Sequence, residues 1–352
     1  MRSEAKGAFL LAALVAVGLG RVARPAGGGP VPSAAGEAMG LVEITNGTIV
    51  LGVVPALGGR VAVVRTANGE NLLDFEARRA QPPFPEPALE TPFEPWNGRI
   101  VWAGPQSGFW SQQELRPELR LAHAGWPPDP FNETRRFEIV ERTPTRLRLK
   151  GAPSPVTGLA LEHDYEIVGP RSVRLKTTAT NGRATAVSWD LWPNTRVRPE
   201  GFPYVPVDPR HAPRLDGPHA GQAEAGACAS ELADGWLSLP PGQQPQAPQQ
   251  RLWTKAFIRP RRGLIAYFHG HELLLIAAPL VPQERIHPEQ TFTELYRGAG
   301  PGSTILELEM HGAFETIAPG ASTSFEQTLE IQDYDGPADA VAHRRRLALL
   351  VD

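Results

Sequence analysis

From Leu41 onward the chain repeats one hydrophobic pattern: short runs alternate apolar and polar residues and stop at Gly, Pro, Asn or Asp. Such runs occupy 48–54, 60–66, 135–141, 145–150, 159–168, 171–180, 186–192, 263–268, 272–278, 291–296, 303–312 and 322–331. Many keep a period of two, the mark of strands with one face buried and the other wet. Thr143-Pro144, Gly169-Pro170 and the turn around Gly270 join consecutive runs as hairpins, a connectivity that favours antiparallel sheets over βαβ units. The pattern predicts an all-β protein of large antiparallel sheets. A helical period appears at 338–350 and more weakly at 112–122. Three proline-rich stretches, 81–95, 198–221 and 240–250, read as loops. The first two are long enough to cover an open sheet face, and the third is low in complexity. The unbroken supply of strands places 39–335 in one sandwich domain, followed by the helix within 336–352.

Strand phase then supplies candidate chemistry. In ILELEMHG (305–312), Leu306, Leu308 and Met310 point one way while Glu307, Glu309 and His311 point the other. Two readings stay open: a solvated sheet face, or a polar site floor where neighbouring acids drive one carboxyl upward in pKa and make it an acid or base. In AVSWDLWPNT (186–195), Trp189 and Leu191 share one face and Asp190 and Trp192 the other, with Pro193 expected to interrupt the ladder. Six of the 8 tryptophans fall between 96 and 192. Rings beside Asp, Asn, Gln and Arg suit sugars, whose C–H faces stack on aromatics while hydroxyls bond planar polar groups; core filling is the alternative. The segment EPWNGRIVWAGPQSGFW (94–110) sets Asn97, Arg99 and Gln106 among Trp96, Trp102 and Trp110 and reads as a pocket wall. The candidate binding residues are Trp102, Gln106, Trp110, Asp129, Trp192, Asn194, Lys255, Glu294, Glu309 and His311. His269 and His271 are in phase, but Gly270 between them reads as a hairpin tip, so no metal is expected there.

Composition narrows the classes further. With 35 glycines and 37 prolines among 352 residues, a long-helix or coiled-coil protein is excluded. The 35 basic and 38 acidic residues leave a net charge of -3 and no long Lys/Arg run, so nucleic acid is not expected as a partner. Cys228 is the single cysteine, which rules out an internal disulfide and a CxxC pair. No GxGxxG, GxxxxGK[ST], HExxH or GxSxG occurs, and no cofactor is expected. Arg2 and Lys6 precede an apolar run from Ala8 to Gly20 that stops at Arg21. That is the form of a secretory signal, short for a bilayer span. Residues 1–38 are therefore expected to be a signal peptide, or an uncleaved anchor, with its linker; the mature chain is expected to be exported to a periplasmic or extracellular location and to lack a membrane span.

The order of these features resembles galactose mutarotase-like (aldose 1-epimerase-like) proteins. NGTIVLGVVPALGGRVAVVRTANGENLLD (46–74) is similar to the family's opening strands, with their GG-R turn and N-L-L phrase. EPWNGRIVWAGPQ is similar to the segment that brings an arginine, here Arg99, to the sugar site, and YEIVGPRSVRLKTTATNGRATAVSWDLWPN to the central hairpin. TELYRGAGPGSTILELEMHGAFETIAPGASTSFEQTLEI is similar to the C-terminal strands, so the resemblance covers roughly 41–332. It implies a large antiparallel β-supersandwich holding carbohydrate on one sheet, with Glu307 at the place of the catalytic base that takes the anomeric proton. The chain departs from the family where a histidine follows the central hairpin: it reads Ser188-Trp189-Asp190, which leaves Asp190, His123 or His311 as the second partner, or none. The implied activity is anomeric epimerisation, or carbohydrate binding without it.

Overall fold

The computed structural model describes residues 39–218, 225–300 and 303–350; the candidate signal segment lies outside them. The strands run β1 (Val42–Thr45), β2 (Ile49–Val54), β3 (Arg60–Thr66), β4 (Arg99–Gly104), β5 (Glu138–Arg142), β6 (Arg146–Lys150), β7 (Leu159–Gly169), β8 (Ser172–Asn181), β9 (Val187–Val197), β10 (Phe202–Pro206) and β11 (Arg214–Asp216). They continue with β12 (Ala225–Gly226), β13 (Glu231–Ala233), β14 (Trp236–Ser238), β15 (Arg251–Ile258), β16 (Leu264–His269), β17 (Glu272–Ala277), β18 (Thr293–Gly300), β19 (Ser303–Met310), β20 (Glu315–Ile317) and β21 (Ser322–Asp333). The helices are α1 (Pro117–Leu121), α2 (Pro130–Thr134) and α3 (Ala340–Ala348).

Two sheets carry all of these strands. The first has 11 strands in the order β1-β2-β3-β4-β9-β19-β18-β15-β11, with β12 also on β15 and β20 also on β9. The second has 10 strands in the order β13-β14-β10-β16-β17-β21-β8-β7-β6-β5. Pairing is antiparallel except for β12 on β15, as the hairpin signals predict, and the turns at Pro144, Pro170 and Gly270 join β5 to β6, β7 to β8 and β16 to β17. The all-β antiparallel sandwich expected from period two is the architecture observed.

Alternation explains the core. In β7, Leu159, Leu161 and Tyr165 are buried while Ala160, Glu162 and Asp164 are half-buried on the far face. Leu306, Leu308 and Met310 of β19 meet Leu175, Leu329 and Ile331 of the opposite sheet in one apolar cluster. Each such side chain, taken out of water, contributes about 1.5–3 kcal/mol. The GG-R turn between β2 and β3 has a steric reason: Gly58 and Gly59 both adopt positive φ, +67 and +65 degrees, and a Cβ on Gly58 would lie 2.0 Å from the Asn132 carbonyl oxygen.

The outer faces are partly roofed. The parts of 75–135 that flank β4 lie over β2–β4 and β9 of the first sheet, where Phe84 and Trp96 pack on Val50 and Val63, and Leu89, Phe93, Phe109 and Trp110 pack around Ile100, Trp102 and Trp192. The stretch 81–95 is thus a cover, as expected. The stretch 198–221 differs from the loop expected of it, because it contains β10 and β11; prolines at 203 and 206 hide a strand from alternation. On the second sheet, α3 lays Leu347 and His343 against Tyr204, Phe268 and Tyr334. Its first turn is capped by Asp339, whose side chain accepts from the Val341 and Ala342 amides. The weak helix expected at 112–122 shrinks to α1.

Candidate functional site

Register brings the polar residues of β9, β19, β18 and β15 into rows on the outer face of the first sheet. Asn194 stands opposite Glu309, Glu309 opposite Glu294, and Glu294 opposite Phe257. One step along, Arg196 stands opposite Glu307, Glu307 opposite Tyr296, and Tyr296 opposite Lys255. The strands that present them put Leu306, Leu308 and Thr195 on the other face. The face of β19 is therefore neither solvated nor bare: Glu309, His311 and Asp190 are fully buried, and among the charged groups solvent contact falls mainly on Lys255, with 16% of its side chain exposed, Glu307 with 11% and Arg196 with 8%.

Charged groups pair closely in this setting. Lys255 Nζ lies 2.9 Å from Glu294 Oε2 and 2.9 Å from Glu309 Oε2. Asn194 Nδ2 donates to Glu309 Oε1 at 3.2 Å. His311 Nδ1 lies 2.9 Å from Asp190 Oδ2 and 2.9 Å from Gln290 Nε2, while His311 Nε2 faces Glu294 Oε1 at 3.6 Å. Arg196 Nε donates to Glu307 Oε1 at 2.7 Å and its Nη1 to Asn97 Oδ1 at 2.6 Å. The Trp192 ring backs the row, 5.3 Å from the His311 ring and 5.1 Å from Lys255 Nζ.

These contacts set the titration of the row. Burial pushes the Glu309 carboxyl up, and with Glu307 and Glu294 beside it outweighs Lys255, leaving it at about 7. Burial raises Glu294 as well, but Lys255 and His311 overcome it and hold that carboxyl at about 2. Glu307 resists the same burial because Arg196 and Lys255 lower it below the usual carboxylate range. For His311, burial disfavours the cation, yet Glu294 and Asp190 lift it to about 9. Lys255 is likewise penalised by burial and held up by Glu294 and Glu309. Two neighbouring carboxyls are thus driven in opposite directions, the arrangement that separates an ionised from a protonatable acid near neutral pH.

Of the residues singled out from sequence, Glu307, Glu309, His311, Asp190, Trp192, Asn194, Lys255 and Glu294 come together here. Arg99 does not: it faces the space between the sheets, where its Nη2 donates to Gln327 Oε1 at 2.7 Å and burial, only partly opposed by Tyr165, lowers its pKa. Trp102 and Trp110 fill the core under the 75–135 cover, their indole N–H groups donating to Glu133 and to the Pro127 carbonyl. Asp129 caps α2, accepting from the Phe131 amide at 2.9 Å and from Thr157 Oγ1 at 3.1 Å. Gln106 is half-buried in the 3-10 turn 106–108, and His123 is exposed in the cover.

Sequence reasoning missed Arg196 and Gln290, and placed Asn97 without its partner. Pro193 was expected to end its strand, yet β9 runs on to Val197, because pairing with β19 starts one residue past the proline, at Asn194. Extending the alternation Asp190, Trp192, Asn194 by one step would have found Arg196. Two grooves, one along 243–250 beside Leu252 and one at 82–86 beside Met39, lie away from the row.

Residues 40–332 match the family model described as "Domain of unknown function (DUF4380)". No curated protein matches the chain. Among solved structures, a galactose mutarotase-like protein from Lactobacillus casei is similar over 83% of this chain and 100% of its own, with a TM-score of 0.50 and 11% identity. A protein from Synechocystis sp. PCC 6803 is similar over 83% and 95%, with a TM-score of 0.50 and 15% identity. A putative aldose 1-epimerase from Escherichia coli K12 covers 83% and 99%, at 0.46 and 14%. The fold is the galactose mutarotase-like one. No helix among the described residues is long and apolar enough to cross a membrane.

Proposed function

The chain belongs to the DUF4380 family, and from that premise we propose that it is an exported carbohydrate-binding protein whose sugar lies over the Arg196–Glu307 pair. The observation that carries this reading is that Glu307 is the acid of the row with solvent contact, kept charged by Arg196. A carboxylate beside a guanidinium and an ammonium offers both acceptors and donors to sugar hydroxyls. Trp253 and Tyr296, half-buried next to it with their rings 6.4 Å apart and 25 degrees from parallel, provide a flat apolar wall for the C–H face of a pyranose. The solved neighbours described as mutarotase-like support a sugar over other small polar ligands.

Calorimetric titration against a panel of mono- and oligosaccharides tests the proposal. Binding of at least one, weakened about tenfold or more in Glu307→Gln, is expected; silence across the panel overturns it. A second reading, proton transfer at the anomeric carbon with Glu307 as base, is favoured by the opposite titration of Glu307 and Glu309. The Arg196 clamp weakens Glu307 as a base, and binding is therefore the leading reading. Exchange of anomers followed by NMR decides between them: equal rates for wild type and Glu307→Gln eliminate the catalytic role. Export rests on Arg2, Lys6 and the apolar run from Ala8 to Gly20. It is tested by cell fractionation and by the N-terminal sequence of the mature chain.

A further inference from the structure

One step along the strands from the Arg196–Glu307 pair lies a second, more buried cluster that the sugar reading does not use. Glu294, Glu309 and His311, all buried, each offer a ligand atom, and these atoms lie within 4.8 Å of one another. Two carboxylates alone would say little. The independent observation is His311 Nε2, a fully buried ring nitrogen with no hydrogen-bond partner, aimed at Glu294 Oε1. Its other nitrogen is held by Asp190 at 2.9 Å, the carboxylate–imidazole arrangement that orients a metal-ligating histidine, and the proton that Nε2 turns toward Glu294 is released when the metal takes its place. The carboxylates have supports of their own: the Thr291 amide donates to Glu294 Oε1 at 3.1 Å, and Asn194 donates to Glu309 Oε1.

We propose that Glu294, Glu309 and His311 form a site for a divalent first-row transition metal, with Asp190 orienting the imidazole and Lys255 serving as the internal cation that occupies the acidic pair when the metal is absent. One imidazole and two carboxylates are a three-residue donor set of the zinc or manganese type, with a coordination position left for water or a ligand oxygen. Zinc bonds of about 2.0–2.2 Å bring ligand atoms to within roughly 3.5 Å of one another. The three side chains must therefore close by about an ångström, while the Lys255 ammonium withdraws toward the solvent that it already touches. The site lies one same-face residue pair along the strands from Glu307, so the inference stands on the cluster and not on sugar binding.

The test uses the whole mature chain, treated with chelator and titrated with zinc chloride alone, with uptake read by elemental analysis and affinity by competition against a chromophoric chelator. About one equivalent per chain is expected. Asp190→Asn keeps all three ligands and lowers affinity roughly 10–100-fold. His311→Gln abolishes tight uptake, its folding checked by circular dichroism. Lys255→Met distinguishes a metal site from a purely structural ion cluster: removing the competing ammonium tightens zinc binding. Uptake below about a tenth of an equivalent in both wild type and Lys255→Met, or uptake unchanged in His311→Gln, overturns the proposal. Because no sugar is present, either outcome leaves the carbohydrate reading to its own experiment.

Discussion

Asp190 reaches His311 because the residue opposite it in β4 is Gly104. A Cβ there would stand 2.0 Å from Asp190 Oδ1, so the carboxylate occupies volume that any other residue takes away. Gly104→Ala is expected to cost about 1–3 kcal/mol in urea unfolding, the range of an overpacked core, and to shift the His311 ring resonances as Asp190 is displaced. An unchanged His311 spectrum would show that the pair tolerates the methyl. His163 makes a second residue-level case. It is stacked between Phe137 and Tyr165, at 5.1 and 5.4 Å, and burial together with Arg99 keeps it neutral down to about 3. An unfolded histidine binds its proton near 6.5. Acid therefore favours the unfolded chain: the stabilisation is complete above pH 6.5 and is lost as pH falls toward 3, on the order of 5 kcal/mol in all. Urea midpoints measured between pH 7 and 4 are expected to fall, and to fall less steeply in His163→Asn. The alternation of β7 put His163 on the buried face, but one strand cannot say that an arginine from the other sheet faces it.

At the level of elements, the cover over the first sheet decides what the tryptophans are for. Trp102 meets Trp192 edge-on at 5.1 Å and Phe109 at 6.2 Å, and this cluster is the inside of the 75–135 segment, not a sugar platform. Trp102→Ala is expected to cost about 3–5 kcal/mol. Trp253→Ala, on the half-buried wall by Tyr296, is expected to change stability by less than about 1 kcal/mol while weakening glycan binding by roughly fivefold or more. The reverse ranking in paired melts and titrations would reassign the two walls. Trp102 reads as a sugar platform in the sequence because indole beside polar residues is compatible with a roof and with a binding face, and the insertion packed above it decides for the roof; Trp253, outside the 96–192 cluster, carries no such signal. Pro193 shows the same limit from the other side. A proline reads as a strand break, and it hid Arg196 because the sequence cannot tell at which residue a neighbouring strand begins to pair.

For the molecule as a whole, strand content, hairpin pairing and the inward rows of β7, β8, β19 and β21 were legible, since each follows from adjacent residues. The sheet order was not. β4 lies beside β9 and β9 beside β19, neighbours brought together across long stretches of chain, and the candidate floor exists only through those pairings. Arg99 shows the cost of that gap: resemblance carried it to the sugar side, whereas register turns it inward to Gln327. The C-terminal helix offers a test at this scale. Ending the chain at residue 338 uncovers Tyr204, Phe268 and Tyr334, so the truncated protein is expected to keep its β circular dichroism, bind a hydrophobic dye and melt several degrees lower. Identical melts would mean that α3 adds no stability.

Lys255 has one more consequence. Its ammonium is covalently part of β15, so the acids of β18 and β19 meet their counter-charge as soon as the three strands align. Assembly of this region draws on nothing in the surrounding medium. The chain can complete its shape first and acquire any inorganic guest afterwards, and cultures starved of trace elements are expected to yield folded protein in the same amount as supplemented ones.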